Sequence, residues 1–92
     1  MQVRFFAYLR DITGCAEINL PCEETIGGLV RSLCTTYGEK MREKIFPPGK
    51  EEQIGPEIII LINGIHIGRL GGITASLKPD DRVDIFPVAA GG

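Results

Sequence analysis

Residues 57–62 of this 92-residue chain contain five consecutive aliphatics, Ile58-Ile59-Ile60-Leu61-Ile62, and the run stops at Asn63-Gly64. Five aliphatics in a row leave no polar face for water, so the segment predicts an interior strand buried on both faces. A two-residue type I′ turn needs positive φ at both central residues, which makes Asn63-Gly64 a strong hairpin signal. Ile65, His66 and Ile67 then form a short return strand, with His66 facing away from its isoleucine neighbours. A lone histidine with no second ligand reads as a surface or interface side chain, not a metal ligand.

The chain also begins and ends on alternating segments. In residues 1–10, Val3, Phe5, Ala7 and Leu9 fall on one face and Gln2, Arg4, Phe6, Tyr8 and Arg10 on the other, which predicts a strand. Its polar face carries two aromatics, Phe6 and Tyr8, so either a second layer covers them or they form a binding patch. Residues 11–14 read as a turn and 15–20 as a second strand that closes an amino-terminal hairpin before Pro21. Near the other end, Lys78-Pro79-Asp80-Asp81 turns into a strand over 82–86. There Val83 and Ile85 face one way, and Arg82, Asp84 and Phe86 the other.

Between these segments the period changes. Ile26, Leu29, Val30, Leu33, Cys34 and Tyr37 step by three and four, the stripe of an amphipathic helix. Thr25 is its N-cap, Glu23 and Glu24 lie at the positive end of its dipole, and Gly38 stops it. Gly27 and Gly28 each cost about 0.8 to 1 kcal/mol relative to alanine, so the helix needs packing across the sheet to persist. These glycines do not form a phosphate loop, because the lysine and strand spacing of that motif are missing. Residues 39–46 make a further helical turn through Met41, Ile45 and Phe46, ended by Pro47-Pro48-Gly49. Residues 47–56 read as a surface loop in which Lys50, Glu51 and Glu52 are a solvated charge run. Gly71-Gly72 lies between strands and reads as a turn in a crossover.

The order of elements predicts an α+β fold, a β-grasp with a four- to five-stranded mixed sheet and one main helix packed on one face. The first and last strands are then parallel neighbours at the centre, joined by a long crossover through the helix. Phe6, Tyr8 and Phe86 share the face opposite the helix, with His66 nearby, and form an apolar patch of the kind that marks a protein interface. The length fits one domain, residues 1–92, with 87–92 as a flexible tail.

Composition narrows the partners. A net charge of -2 and a pI near 5.3 offer no basic face for nucleic acid or an anionic membrane, which leaves protein as the expected partner. No early segment has signal-peptide form, and the longest apolar run is far too short to span a bilayer, so the chain is read as cytoplasmic. Cys15, Cys22 and Cys34 are odd in number and contain no CxxC pair, which argues against a disulfide framework and a zinc site. They read as reduced thiols, with no cofactor or metal bound by the chain.

The last seven residues, Phe86-Pro87-Val88-Ala89-Ala90-Gly91-Gly92, are apolar and end in two glycines. Glycine lacks a Cβ, so the end can thread a channel too narrow for other residues. Its reactive group is the α-carboxyl of Gly92, ionised at neutral pH with an ordinary pKa of about 3.3 to 3.7 and a poor electrophile until activated. The competing reading is a frayed end of no function.

On these residues the chain resembles the sulfur-carrier branch of the ubiquitin-like proteins, most closely the MoaD type, the small subunit of molybdopterin synthase. The likeness runs through Val3-Arg4-Phe5-Phe6-Ala7-Tyr8-Leu9-Arg10-Asp11 with Gly14, Thr25-Ile26-Gly27-Gly28-Leu29 and Asn63-Gly64. Its most specific block is Asp81-Arg82-Val83-Asp84-Ile85-Phe86-Pro87-Val88 with Gly91-Gly92. The resemblance implies that an E1-like adenylating enzyme uses ATP to activate the carboxyl of Gly92. A sulfur donor, such as a cysteine desulfurase or a rhodanese-like protein, then converts it to a thiocarboxylate. The tail delivers that sulfur inside the molybdopterin synthase large subunit, to the dithiolene that holds molybdenum or tungsten. The small protein itself is not an enzyme.

By this resemblance Gly92 is the attachment point and Gly91 lets the thread pass. Phe6, Tyr8, His66, Phe86, Pro87 and Val88 are the candidate partner-binding residues. The family usually has an aliphatic side chain near His66 and commonly two prolines after the phenylalanine, and the segment 47–56 is longer than in compact members. Alternatives are a thiamine-type sulfur carrier, a protein modifier joined through Gly92 to lysines, and an interaction module with an inert tail.

Overall fold

The computed structural model describes residues 1–47, 49–50 and 53–88, which leaves the charge run at Glu51 and Glu52 and the tail at 89–92 outside the described residues. Its elements are β1 (Gln2–Phe5), α1 (Leu9–Thr13), β2 (Glu17–Asn19), α2 (Ile26–Tyr37), α3 (Glu39–Ile45), β3 (Ile58–Ile62), β4 (Ile65–His66) and β5 (Arg82–Pro87). Two 3-10 turns, Ile67–Arg69 and Gly72–Thr74, carry the chain from β4 towards β5. The sheet order is β2-β1-β5-β3-β4. β1 runs parallel to β5, with Gln2 opposite Arg82 and Phe5 opposite Ile85, while every other pair is antiparallel. This is the expected β-grasp with its first and last strands adjacent.

Strand alternation and the helix stripe meet in one core. Val3 and Phe5 of β1 and Val83 and Ile85 of β5 turn their side chains under α2, where Ile26, Leu29, Val30 and Leu33 cover them. Each such aliphatic buried contributes about 1.5 to 3 kcal/mol relative to exposure. Tyr37, in the last turn of α2, sets its ring edge-on to Phe5 with centroids 6.1 Å apart. Burial, and then the neighbouring Cys15, push its phenol above the ordinary range. α3 follows at once from Gly38 and adds Met41 and Ile45, and Phe46 after it is also buried.

The start of α2 is held in several ways. Thr25 Oγ1 accepts a hydrogen bond from the N–H of Gly28 at 3.2 Å, as the N-cap reading expects. The Ile26 N–H donates to the Ala75 carbonyl and the Leu77 N–H to that of Glu24, both at 3.0 Å, so the helix start is stitched to the segment entering β5. Gly27 packs closely: a Cβ there would come within 3.2 Å of the Ile73 side chain and carbonyl oxygen, so a larger residue would need that segment to shift by a few tenths of an ångström. The turn at Asn63 and Gly64 has φ of 50° and 87°, the positive pair that a type I′ hairpin demands.

Several boundaries differ from the sequence reading. The opening strand stops at Phe5. Ala7 takes a positive φ of 52°, and successive turn hydrogen bonds, from Leu9 to Phe6 and from Arg10 to Ala7, roll the chain into α1. Leu9 is therefore buried from a helix, and the expected turn at 11–14 is the end of that helix, closed by Gly14 at φ 75°. The second strand shortens to three residues. β3 is interior in order but buried on one face only: Ile58, Ile60 and Ile62 are buried while Ile59 and Leu61 are half-exposed, because no layer of the described residues covers the side away from α2. β4 ends at His66, and Ile67 starts a 3-10 turn. β5 runs on through Pro87, which pairs with Ile58, so that residue belongs to the sheet and not to the tail.

Asp84 is 3% exposed, and a carboxylate at that depth is costly unless paired. The parallel register puts Arg4 beside it, and the guanidinium Nε and Nη2 donate to its two oxygens at 2.6 and 2.9 Å. Arg82 adds attraction, its Nε 3.5 Å from Asp84 Oδ2, and that Nε makes no hydrogen bond among the described residues. The hydrogen-bonded Arg4 outweighs burial and holds the Asp84 carboxyl below its ordinary range.

Two predictions follow from local geometry. Thr25→Ala should cost about 0.5 to 2 kcal/mol of stability, read as a lower urea midpoint with an unchanged slope. A carboxyl whose folded-state pKa is lowered stabilises fully above the unfolded value of about 3.9, and that contribution fades as pH falls through the folded value. Asp84→Asn should therefore melt below the parent at neutral pH, and the gap should close on acidification below about pH 4.

Candidate docking face and tail root

The face of the sheet away from α2 is built by alternation. Phe86 lies outward because Ile85 lies inward, and Ile59 is its partner across the β3–β5 ladder. Phe6 follows directly on β1, and its N–H donates to the Ile85 carbonyl at 3.2 Å, which keeps it beside β5 for one more residue. The two rings stack, with centroids 4.1 Å apart and planes 13° from parallel. The guanidinium groups of Arg4 and Arg10 stand 5.5 and 5.6 Å from the Phe6 ring centroid, within cation–π range. Arg10 is held there by its Nε, which donates to the Phe5 carbonyl at 2.9 Å.

The remaining aliphatics of this face come from β3. Leu61 lies opposite Asp84 on one side and His66 on the other, so Ile59, Leu61, His66 and Phe86 all project to the same side of the sheet. Ile59 and Leu61 were absent from the site residues picked by sequence. Their signal is the unbroken aliphatic run: with no second layer among the described residues, alternate members of that run are left on the open face. His66 reaches the expected face, but it also has a local duty. Its Nδ1 accepts a hydrogen bond from the N–H of Gly68 at 2.8 Å and caps the first 3-10 turn.

Tyr8 does not join the face. Because the chain leaves the sheet at Ala7, its ring stands instead below the ammonium of Lys44, 5.1 Å away, on the α3 side. It lines a small cleft of 240 Å³ with Lys44, Glu57 and Val88. It thus flanks Val88, the last described residue. Pro87 is half-buried at the end of β5, and Val88 donates its N–H to the Glu57 carbonyl at 2.8 Å with 38% of its surface exposed. Gly91 and Gly92 lie outside the described residues.

Chemically, this arrangement can offer a docking surface to a protein partner. An aromatic stack and two aliphatics are framed by Arg4, Arg10 and Arg82, and the last described residue is next to them in the chain. The described residues hold no cluster of three histidine, cysteine or acidic side chains able to grip a metal ion. The three thiols are far from equivalent: Cys22 is exposed, Cys15 half-buried and Cys34 buried. None of the described helices is long and apolar enough to cross a membrane.

Comparison with known proteins agrees with the fold and extends it. The ThiS family model matches residues 3–92. The small archaeal modifier protein 1 (SAMP1) of Methanosarcina acetivorans is 33% identical over 99% of this chain and 94% of that one, with a TM-score of 0.85. The Haloferax volcanii HVO 2177 protein is 30% identical over 99% of this chain and 84% of its own, with a TM-score of 0.79. A candidate molybdopterin converting factor, subunit 1, from Pyrococcus furiosus is 26% identical over 96% and 95%, with a TM-score of 0.71. No curated protein sequence matches. With its family model matched almost end to end on a ubiquitin-like β-grasp, the chain belongs to the ThiS family of small ubiquitin-like carrier and modifier proteins.

Proposed function

We propose that the chain carries sulfur on its C-terminal carboxyl and delivers it in molybdopterin synthesis as the small subunit of a two-subunit synthase. The observation that carries this reading is the stacked Phe6–Phe86 pair with Ile59 and Leu61, an apolar face that no other described element covers and that borders the root of a glycine-ended tail. Burying that face on a large subunit fixes where the tail emerges, and the slender end at Gly91 and Gly92 enters the partner's active site.

The chemistry at Gly92 takes three steps. A carboxylate oxygen attacks the α-phosphorus of ATP in an E1-like enzyme, and pyrophosphate leaves. The acyl adenylate is now electrophilic: the outer sulfur of a donor protein's persulfide displaces AMP to give an acyl disulfide, and a thiol then cleaves that S–S bond, forming a disulfide with the donor's sulfur and leaving the thiocarboxylate on Gly92. This chain supplies the carboxyl and the docking face, while the catalytic side chains belong to the partners.

A second reading, a modifier joined through Gly92 to protein amines, is favoured by the identity with the archaeal modifier protein. Both use the same activated carboxyl, so the fate of the loaded tail separates them. Incubation with the cognate adenylating enzyme, ATP and a sulfur source should raise the intact mass by the difference between sulfur and oxygen. An unchanged mass contradicts the carrier reading, and lysine adducts ending in Gly92 in cells would support the modifier. Phe86→Ala should weaken binding to the large subunit by about 1 to 4 kcal/mol, measured by titration calorimetry, with the fold retained.

A further inference from the structure

Arg4, Arg82 and Arg10 frame the open face, and their partners differ. Arg4 gives its Nε and Nη2 to the two oxygens of Asp84, at 2.6 and 2.9 Å. Arg82 brings its Nε to 3.5 Å from Oδ2 of the same carboxylate, and it sits four residues before Phe86 on β5, roughly 13 Å along the strand. Arg10 is the exception. No acidic side chain of the described residues comes within 4.0 Å of its guanidinium, although the chain as a whole is acidic, with a net charge of -2. Its Nε donates to the Phe5 carbonyl at 2.9 Å, and the Nη groups, which carry four of the five N–H donors, make no hydrogen bond among the described residues.

That guanidinium is also held in place. The Phe5 hydrogen bond fixes one edge and the Phe6 ring centroid lies 5.6 Å from its carbon, so two contacts restrict a side chain that otherwise loses much rotamer freedom on binding. Arg10 is exposed, at the margin of the Phe6–Phe86 stack. A planar fork of this kind pairs best with a carboxylate, whose two oxygens accept parallel N–H bonds.

A partner that buries the stack covers Arg10 as well, because its guanidinium stands over one of the two rings. Without an acceptor in that partner, the charge and its Nη donors are desolvated unpaired, a cost that falls on wrong partners. An acidic side chain in register removes the cost. Phosphate offers a similar geometry, but the aliphatics Ile59 and Leu61 beside the stack call for an apolar recess, which a protein surface supplies and a nucleic-acid backbone does not.

We propose that Arg10 determines which partner this face accepts: its guanidinium takes an aspartate or glutamate side chain at the rim of the recess that receives Phe6 and Phe86. This role rests on the face being a docking surface, and it adds the chemistry that the partner must carry.

Titration calorimetry of the full chain against the cognate large subunit, with Arg10→Gln, Arg10→Lys and Phe86→Ala beside the parent, tests it. Arg10→Gln should raise Kd by about ten- to a hundredfold, as expected when a charged group gives up its hydrogen bonds. Arg10→Lys should fall between, because an ammonium keeps the charge without the fork. Among single aspartate-to-asparagine and glutamate-to-glutamine variants of the large subunit, one should lose a similar factor and lose little more when combined with Arg10→Gln. A Kd for Arg10→Gln within about twofold of the parent's, or a loss that no acidic variant shares, would overturn this role. If Phe86→Ala weakens binding while Arg10→Gln does not, the role of Arg10 alone fails. If neither weakens it, or the parent does not bind, the docking surface fails with it.

Discussion

The parallel ladder between Gln2–Phe5 and Arg82–Ile85 is the constraint on which the molecule depends. Parallel neighbours cannot be joined by a tight turn, so the chain between them must cross over the sheet, and α2 supplies the apolar face that makes the crossing favourable. The same ladder decides what lies on the open side. It sets Arg4 against Asp84 and brings Phe6 beside Phe86, so one register produces both the buried ion pair and the aromatic stack. Placing the final strand at the centre also means that the chain leaves the sheet beside that stack.

The ion pair and the stack are coupled through Arg4. Its guanidinium is bidentate to Asp84 and within cation–π range of Phe6, so it links a structural pair to the aromatic stack on the open face. Arg10, fixed by the Phe5 carbonyl, frames the ring from another direction. The face is therefore apolar at its centre with cationic groups beside it, which suits a partner surface carrying carboxylates around an apolar recess.

Much of this was legible in the sequence, for identifiable reasons. The helix stripe from Ile26 to Tyr37, its Thr25 cap and the Asn63-Gly64 turn are local rules, and local rules can be read without tertiary context. The alternation in residues 82–86 gave the inward and outward sets of β5, hence Phe86. The failures share a cause, because each depended on contacts between distant segments. Period two and helical spacing coincide at Phe5 and Leu9, so sequence alone carries the strand through Ala7 and Tyr8, whereas the chain turns off the sheet at Ala7. The run 58–62 looked buried on both faces because sequence does not show whether a second layer exists. Asp84 looked like an ordinary outward carboxylate until the register brought Arg4 to it.

The central claim is that the terminal carboxyl of Gly92 is the group a partner enzyme activates. Exchange of radiolabelled pyrophosphate into ATP, catalysed by the cognate adenylating enzyme, reads that step directly. The account predicts exchange that depends on the full chain and vanishes with an otherwise identical chain whose C-terminal carboxyl is amidated. Equal exchange with the amidated chain, or none with the native one, would contradict it.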